Sequence, residues 1–334
     1  MIQPNQSVHF NHRAEHEQTR PLRLLITGAN GMIGHALLAA AHARGTEAVP
    51  VQRPVRETRS KAEAPANPNT VLWEPEAAHP FADLELLEGF DAVVHLAGAN
   101  LAAQRWTAKY KQTIRDSRTL TTGALALTLA RLRQPPRVLL SASAIGFYGS
   151  RGEETLTEES APGAGFLADV CQAWENAAAP AISAGMRVVN LRFGVVLTPY
   201  GGTLKQMLPL FRAGLGGKLG GGKQWTSWIT LDDLLQAIFH TLEHDELQGP
   251  VNMVSPHPAR NAEFTKALGD VLKRPALLPA PAFALRAAFG QLADEALLSS
   301  CRALPAKLQA SGFRFGQEQI YGALGTLLQG PNGH

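Results

Sequence analysis

The sequence predicts an α/β fold in which a doubly wound parallel sheet is covered by helices on both faces. The first observation is the segment from Leu22 to Gly45, where an apolar strand, a glycine turn and an alanine-rich helix follow one another. The second is that short apolar segments alternate with helical segments along the first part of the chain. Parallel strands need long crossover connections, which helices supply, so this alternation favours a parallel sheet.

Each strand of this sheet is predicted from a short apolar run, and each helix from apolar residues that recur at helical spacing. The first strand ends at Thr27, and its helix begins near Met32. The other strands are predicted over Glu47–Arg53, Asp91–Gly98, Arg137–Gly146 and Met186–Leu197, and the other helices over Thr107–Leu132 and around Val170–Ala184.

The turn after the first strand has the spacing G-x-x-G-x-x-G, with Gly28, Gly31 and Gly34. Such glycines permit a tight turn, close approach of the backbone to a pyrophosphate, and close packing of helix on strand. The helix N-terminus would then direct its N–H groups at the phosphates. Since turns use glycine for other reasons, a strand-to-helix turn without a ligand is the structural alternative.

Composition limits the class of protein. The chain has 334 residues, 45% hydrophobic and 18% charged, which indicates a soluble globular protein of one large domain or two. A net charge of +3 gives no general attraction to nucleic acid or to a membrane, and no membrane span or signal peptide is predicted. The two cysteines, Cys171 and Cys301, form no disulfide or zinc pattern, so we expect a cytoplasmic protein. We also expect the protein to be either a monomer or a homodimer.

The composition of the sequence changes near Thr198, after which a glycine-rich stretch follows. We expect a flexible tail over residues 1–21, a nucleotide-binding domain over 22–197, and a substrate lobe with a helical carboxy-terminal domain over 198–334, from which later strands can return to the main sheet. Gly217 to Lys223 has the spacing of a phosphate-binding P-loop, but Gln224 replaces the magnesium-binding Ser or Thr and "WTSWI" favours a strand. We therefore expect either a glycine-rich turn over a substrate pocket or a plain flexible loop there.

The order of motifs resembles the extended short-chain dehydrogenase/reductase superfamily. The motifs are "TGANGMIG", "HLAG", "SASAIGFYG" and "WITLDDLLQAI", and the resemblance covers roughly Leu22 to Leu268. Arg105–Trp106, "GFLADVCQAWE" and the helical tail resemble more narrowly its NAD(P)-dependent epimerase-like subfamily with an extra carboxy-terminal domain. The resemblance implies a Rossmann sheet with a smaller carboxy-terminal lobe, and a nicotinamide cofactor.

The resemblance also implies which residues bind that cofactor. Arg53 ends the second strand, where Asp would bind the ribose 2′-hydroxyl and Arg pairs with a 2′-phosphate, so NADP is favoured over NAD. Arg56 is placed to assist, although both arginines could be solvated surface charges. The pyrophosphate would lie against Thr27, Gly28, Asn30, Gly31, Met32, Ile33 and Gly34, and the adenine-side ribose against Leu96, Ala97 and Gly98.

The superfamily's catalytic Tyr-x-x-x-Lys pair is absent from this sequence. Phe166–Val170 or Leu167–Cys171 stands in its place, depending on a one-residue ambiguity. Ser143 matches the superfamily's catalytic serine if one insertion is allowed, and Tyr148 lies on the same segment, so these two are the catalytic candidates. The structural alternative is that Ser143 bonds the backbone and Tyr148 packs in a turn.

Three functions remain open at this point. The first is an NADP-dependent oxidoreductase or epimerase-like enzyme acting on a small polar, nucleotide-linked or unlinked, substrate. The second is a non-catalytic NADP-binding module that senses redox state or binds a partner. The third, a scaffold without cofactor, is disfavoured by the intact glycines. His95 is expected to be a satisfied core histidine, and Arg105, Lys109, Lys111, Arg115 and Arg118 either reach an anionic substrate or are solvated.

Overall fold

The structure is a computed structural model that describes residues 20–54, 70–77, 80–81 and 83–330. In chain order its strands are β1 (Arg23–Thr27), β2 (Glu47–Gln52), β3 (Val71–Leu72), β4 (Ala92–His95), β5 (Val138–Ala144), β6 (Thr155–Leu156), β7 (Arg187–Phe193), β8 (Val195–Leu197), β9 (Trp225–Thr226), β10 (Trp228–Thr230), β11 (Gly249–Met253), β12 (Ala259–Arg260) and β13 (Arg302–Ala303).

Helices connect and cover these strands. Ile145–Tyr148 forms a 3-10 turn directly after β5, and Ala293–Leu297 forms a π-helical turn. The α-helices are α1 (Met32–Ala43), α2 (Ala108–Leu129), α3 (Phe166–Asn176), α4 (Ala179–Ser183), α5 (Gly202–Arg212), α6 (Leu231–Glu243), α7 (Asn261–Leu272), α8 (Ala282–Phe289), α9 (Ala306–Ala310) and α10 (Ile320–Gln329). No helix of the described residues has the length and apolar character needed to cross a membrane.

The main sheet has seven strands in the order β3-β2-β1-β4-β5-β7-β11, and every neighbouring pair is parallel. This arrangement confirms the predicted doubly wound α/β fold. The strand order reverses between β1 and β4, and in open α/β sheets ligands bind beyond the carboxyl ends of the strands at such a reversal. The glycine turn follows β1 and "HLAG" follows β4, so both motifs lie at this position.

The sheet is buried on both faces, which explains why its strands are apolar throughout rather than alternating. On β1, Leu24 and Ile26 belong to one core with helices α1 and α6, while Leu25 between them belongs to the opposite core with α2. All three side chains are fully buried. The two cores hold the strand ends, and therefore the turns that follow them, in fixed positions.

The prediction of one strand over Met186–Leu197 was wrong. The chain breaks at Gly194: β7 stays in the main sheet, and β8 leaves it to pair with β10. A Cβ atom at Gly194 would lie 2.7 Å from both the carbonyl oxygen of Ser227 and a methyl group of Val254. Only glycine permits this close approach, which brings the chain beside Ser227.

The carboxy-terminal part of the chain contains short strands and several helices. Residues 213–224 lack helix, and β9 rather than a helix follows Lys223, so the P-loop spacing has no P-loop structure. Strand β11 returns to the main sheet beside β7. Helices α5, α7 and α10 share a separate apolar core. The domain boundary at residue 197 stays a prediction, and most of the predicted tail lies outside the described residues.

Asp233 links the sheet-covering helix α6 to the carboxy-terminal segment. Its carboxylate accepts N–H groups from Gly316 at 2.7 Å and Gln317 at 3.0 Å, and it is 5% exposed. Its own N–H donates to the Thr230 hydroxyl, which caps the helix. One buried carboxylate therefore satisfies backbone donors that lie far away in the sequence.

We expect Asp233→Ala to lower the free energy of unfolding by about 1–3 kcal/mol, because two backbone donors lose their acceptor. Asp232→Ala is the matched control: Asp232 is exposed in the same first turn of α6, and its loss should cost less than about 1 kcal/mol. Urea unfolding followed by circular dichroism measures both. Equal destabilisation by the two variants would contradict the linking role of Asp233.

Candidate functional site

Each of the three glycines after β1 is suited to its position for a different structural reason. Gly28 has φ +70°, and a Cβ atom there would lie 2.7 Å from the carbonyl carbon of Leu96, so the turn touches the end of β4. A Cβ atom at Gly34 would lie 2.3 Å from the Gly28 oxygen, so helix α1 packs directly on the turn. A Cβ atom at Gly31 would lie 3.2 Å from the Gly28 oxygen and would meet no other described atom within 4 Å outside its chain neighbours and its own helix backbone. Gly31 therefore leaves space open on the side away from that oxygen.

That space is a groove of about 990 Å³ at the carboxyl ends of β1, β2 and β4. Helix α1 begins at its edge with no side-chain cap and no acidic residue in its first turn, so its terminal N–H groups can receive an anion. These features fit a dinucleotide pyrophosphate. The predicted cofactor residues that line the groove are Gly28, Asn30, Gly31, Arg53, Ala97 and Gly98.

The other predicted cofactor residues lie behind the groove wall. Thr27 is fully buried, and its hydroxyl accepts the Leu96 N–H at 3.2 Å. Met32 packs beneath Gly201, whose Cβ would lie 2.5 Å from the methionine sulfur. Ile33 packs against the main core, and Gly34 is buried. These residues shape the turn, and their contact with a cofactor stays a prediction.

Arg53 follows β2 at the edge of the groove and has an acidic neighbour. Its Nη2 lies 3.1 Å from Oε1 of Glu76, and both residues line the groove. The side chains are 61% and 67% exposed, so their mutual attraction is weak and both remain accessible to a ligand. Arg56 lies outside the described residues. Among the residues described at this edge of the groove, Arg53 thus provides a cation and Glu76 an anion that competes for it.

His95 has the structural role expected for it. Its Nδ1 lies 2.6 Å from the Thr27 hydroxyl, and its Nε2 lies 2.9 Å from the hydroxyl of Thr122. Complete burial lowers the pKa of His95 to about 4. The imidazole is therefore neutral near pH 7 and holds β1, β4 and α2 together rather than exchanging protons with a ligand.

A second cavity, which we call the inner pocket, has a volume of about 200 Å³. It lies beyond the carboxyl ends of β5 and β7, against α3 and the segment around the π-helical turn. Leu167 and Cys171, one turn apart on α3, both line it, whereas of the alternative pair Val170 lines it and Phe166 does not. This geometry favours Leu167–Cys171 as the pair that replaces Tyr-x-x-x-Lys. Ala144, the last residue of β5, also lines the inner pocket.

Ser143 and Tyr148 are brought together by a buried hydrogen-bond network rather than by the inner pocket. The Ser143 hydroxyl donates to Oε1 of Glu175 at 2.7 Å, and the same carboxylate accepts Nε and Nη2 of Arg192, each at 2.8 Å. Arg192 Nη1 donates to the Tyr148 hydroxyl at 2.9 Å, and that hydroxyl donates to Asn252 at 2.8 Å.

The network is enclosed. Ser143 and Tyr148 are 1% and 0% exposed, and neither lines the inner pocket. The partner of Ser143 is a carboxylate, so the alternative that it bonds the backbone was wrong. Tyr148 ends the 3-10 turn beside Gly149, as the structural alternative expected. Their catalytic roles stay predictions, and any such role would have to act through Glu175 or Arg192.

Burial keeps one phenol and two thiols near the inner pocket protonated. It raises the pKa of the Tyr148 hydroxyl to about 12, and it raises the pKa of the Cys171 and Cys301 thiols to about 12 as well. These groups are neutral at pH 7, so neither thiol is a ready nucleophile or base. The wall of the inner pocket is therefore poor in proton-transfer groups.

Three residues with polar contacts in this region were not predicted from the sequence. Glu175 follows Cys171 by four residues, so helical spacing on α3 could have identified it. Arg192 gave no signal, because only the pairing of β7 with β5 brings it near Ser143. Glu295 was also missed: its carboxylate accepts the N–H groups of Phe166 and Leu167, each at 2.9 Å, and lines the inner pocket.

Comparison with known proteins agrees with this geometry. The family model for the NAD dependent epimerase/dehydratase family matches residues 24–254, which is more than half of the chain. The chain belongs to this family. A separate model, a domain of unknown function (DUF1731), matches residues 280–327. Membership of the epimerase/dehydratase family confirms the predicted superfamily and its extra carboxy-terminal domain, and it implies an NAD(P)-binding, epimerase-like protein.

Relatives within the epimerase/dehydratase family span nearly the whole chain. Epimerase family protein Mb2239 of Mycobacterium bovis is 43% identical over 306 residues, covering 92% of this chain and 97% of the relative. The crystal structure of human epimerase family protein SDR39U1 (isoform 2) with NADPH has a TM-score of 0.82 at 31% identity, covering 93% of this chain and 100% of that one.

A second structure is described as the nucleoside-diphosphate sugar epimerase from Corynebacterium glutamicum. Its TM-score is 0.73 at 37% identity, covering 92% of this chain and 58% of that one. The similarity to both structures confirms the Rossmann-like α/β fold.

We expect Gly31→Val to lower the affinity for a nicotinamide dinucleotide at least about tenfold while the protein stays folded. Gly31 has φ −77°, which valine tolerates, and its side chain would enter the groove where phosphates would lie. Losing charge-assisted contacts to a phosphate costs about 1.5–3 kcal/mol. A fluorescence titration with NADPH measures the affinity, and circular dichroism monitors the fold.

The matched variant is Gly34→Ala, which should destabilise the fold because its Cβ would collide with the Gly28 oxygen. Unchanged dinucleotide affinity in folded Gly31→Val would mean that the glycine turn is structural only.

Proposed function

We propose that this protein binds NADP in the groove and oxidises, reduces or epimerises a small polar substrate in the inner pocket. The observation that carries the proposal is the groove itself, which has an uncapped helix N-terminus at the glycine turn and Arg53 at the end of β2. The two features suit the pyrophosphate and the 2′-phosphate of one dinucleotide. The similarity to the human protein solved with NADPH supports this choice of cofactor.

The inner pocket supports the assignment of the substrate. It lies against the pair Leu167–Cys171, the position that corresponds to the superfamily's catalytic pair, and its wall combines apolar side chains with Arg118, Thr226 and Glu295. When bound, the nicotinamide supplies hydride exchange with a substrate carbon. The chain itself would position the substrate and exclude water from it.

Proton transfer is the step for which the wall of the inner pocket offers the fewest suitable side chains. We keep Ser143 as the predicted catalytic group, with Tyr148 beside it, acting through the Glu175 carboxylate that Ser143 contacts. One observation favours a second candidate function, a non-catalytic NADP-binding module: Ala144, Leu167 and Cys171 occupy the pocket wall where the superfamily has acid–base groups. The two functions differ in whether bound NADPH is ever consumed.

The cofactor preference is tested with three proteins. NADPH should bind at least about tenfold more tightly than NADH, because a charge-assisted phosphate contact contributes about 1.5–3 kcal/mol. Arg53→Asp should narrow or reverse the preference. Glu76→Gln should strengthen NADPH binding by about two- to fivefold without changing NADH binding, since it removes the anion that competes at Arg53.

Fluorescence titrations of both cofactors give these ratios. Equal affinities of the unsubstituted protein for NADPH and NADH would contradict the assignment of NADP, whatever the two variants do.

Turnover is tested by stopped-flow oxidation of bound NADPH across carbonyl compounds and nucleotide sugars. Ser143→Ala should lower turnover at least about tenfold with NADPH affinity unchanged, since general acid–base assistance is worth about a hundred- to ten-thousandfold. Ser141→Ala is the control, because Ser141 is a buried serine two residues earlier on the same strand whose hydroxyl has no partner among the described residues.

An unchanged rate in Ser143→Ala would remove Ser143 from the mechanism. Tight NADPH binding without turnover of any compound is the outcome expected of the binding module.

A further inference from the structure

We infer that Arg118 is the anion-binding group of the inner pocket and that the substrate is a small compound carrying a carboxylate or phosphate group. The inference rests on the proposed function only in treating the inner pocket as the substrate site. Arg118 lies on α2 and lines this pocket together with Trp174. Four observations on its surroundings support the inference.

The Arg118 guanidinium is held in place without neutralising its charge. Nη1 donates to the carbonyl oxygen of Ile114 and Nη2 to that of Ala99, each at 3.1 Å, and the group lies 5.0 Å from the Trp174 ring. Two of the five N–H donors of an arginine are thereby used, and three remain. Among the residues that the structure describes, no carboxylate of Asp or Glu lies within ion-pair distance of it.

This arrangement is costly unless an anion completes it. Burial lowers the pKa of Arg118, which is the sign of a cation removed from water. Arg118 is half-buried, and a charge withdrawn from water is normally paired, because its lost hydration is otherwise uncompensated. Two backbone carbonyls fix the orientation of the guanidinium, so little further side-chain entropy is lost when an oxyanion binds to its open edge.

Among the described residues that line the inner pocket, Arg118 is the one suited to bind that anion. Within the described chain, Arg118 and Glu295 are the only charged residues that line the pocket. The Glu295 carboxylate is already bound to two N–H groups at the start of α3 and to the Gln291 amide at 3.0 Å. The thiols of Cys171 and Cys301 are neutral. The remaining wall is mostly apolar, which suits a short carbon frame.

Two kinds of anion could reach Arg118, because it lies at the junction of the pocket and the groove. A Cβ atom at Gly98, which lines the groove, would lie 3.4 Å from Arg118 Cζ. A cofactor phosphate is thus the other source of an oxyanion. We assign Arg118 to the substrate because Arg118 is among the residues that line the inner pocket and is not among those that line the groove.

The volume of the inner pocket restricts the substrate further. A cavity of about 150 Å³ in a protein core accepts one benzene molecule, so about 200 Å³ suits a body of roughly that size. A nucleoside diphosphate sugar is several times larger. The inner pocket is open on one side, so its volume limits the part of a ligand that lies inside it. We infer that a small anionic carbonyl compound or alcohol, which fits within this volume as a whole, binds in preference to a nucleotide-linked sugar.

The experiment compares 2-oxobutanoate with its uncharged primary amide, using the full-length protein with and without saturating NADPH. Ligand-observed NMR titration measures both affinities, and UDP-glucose and inorganic phosphate are titrated in parallel. We expect the acid to bind at least about tenfold more tightly than the amide. Arg118→Met should abolish this preference without changing amide affinity, and it should change NADPH affinity less than about twofold.

Arg115→Met is the matched control, because Arg115 is an exposed arginine on the same helix and its loss changes the net charge equally. It should keep the preference for the acid. Arg118→Lys keeps the charge and should retain at least part of the preference, which guards against a folding defect in the methionine variant. Circular dichroism is recorded for all three.

The inference is overturned if the unsubstituted protein binds acid and amide equally, or if UDP-glucose binds more tightly than the acid. It is also overturned if Arg118→Met weakens NADPH about tenfold and leaves the preference for the acid unchanged, because Arg118 would then serve the cofactor. Failure of the proposed function gives a different result: NADPH would not bind at all, while the preference for the acid is still measured without it.

Discussion

The buried ion pair between Glu175 and Arg192 is the interaction around which the carboxyl ends of the main sheet are arranged. The side chains are 10% and 3% exposed, and removing one partner of such a pair leaves an uncompensated charge that costs about 3–5 kcal/mol. Through this pair α3 is fixed to β7, Ser143 of β5 is fixed to α3, and Tyr148 is fixed to β11 through Asn252. Three parallel strands and one helix thus share a single polar network.

This network keeps its charges out of both cavities. Glu175 and Arg192 pair with each other and line neither cavity, and the wall of the inner pocket is mostly apolar, with Arg118 and Glu295 as its charged residues within the described chain. The groove is larger, about 990 Å³ against about 200 Å³ for the inner pocket, and it is lined by backbone at the glycine turn with Arg53 and Glu76 at one edge. The two cavities therefore differ in size and in the chemistry of their walls.

Features determined by neighbours in the sequence could be predicted, and those determined by distant contacts could not. The glycine turn, Arg53 at the end of β2 and the parallel sheet depend on local spacing, and the structure has all three. The choice of Ser143 as a catalytic candidate depended on allowing one inserted residue in the alignment. Successive side chains of a strand point to opposite faces of the sheet, so an error of one residue changes which side chain reaches the inner pocket, and it is Ala144 that does so. The break at Gly194 depends on Ser227 and Val254, which no local pattern reveals.

The bond from Glu295 to the start of α3 makes the carboxy-terminal domain part of the inner pocket rather than an attachment to it. A Cβ atom at Gly165 would lie 3.0 Å from this carboxylate, so the loop before α3 is fitted to a residue that is translated 130 positions later. During synthesis on the ribosome, the first domain would emerge with the amide groups of Phe166 and Leu167 still without their acceptor. The pocket can therefore be completed only after Glu295 has been synthesised, and exchange of this carboxy-terminal domain between relatives would require Gly165 and Glu295 to be inherited together.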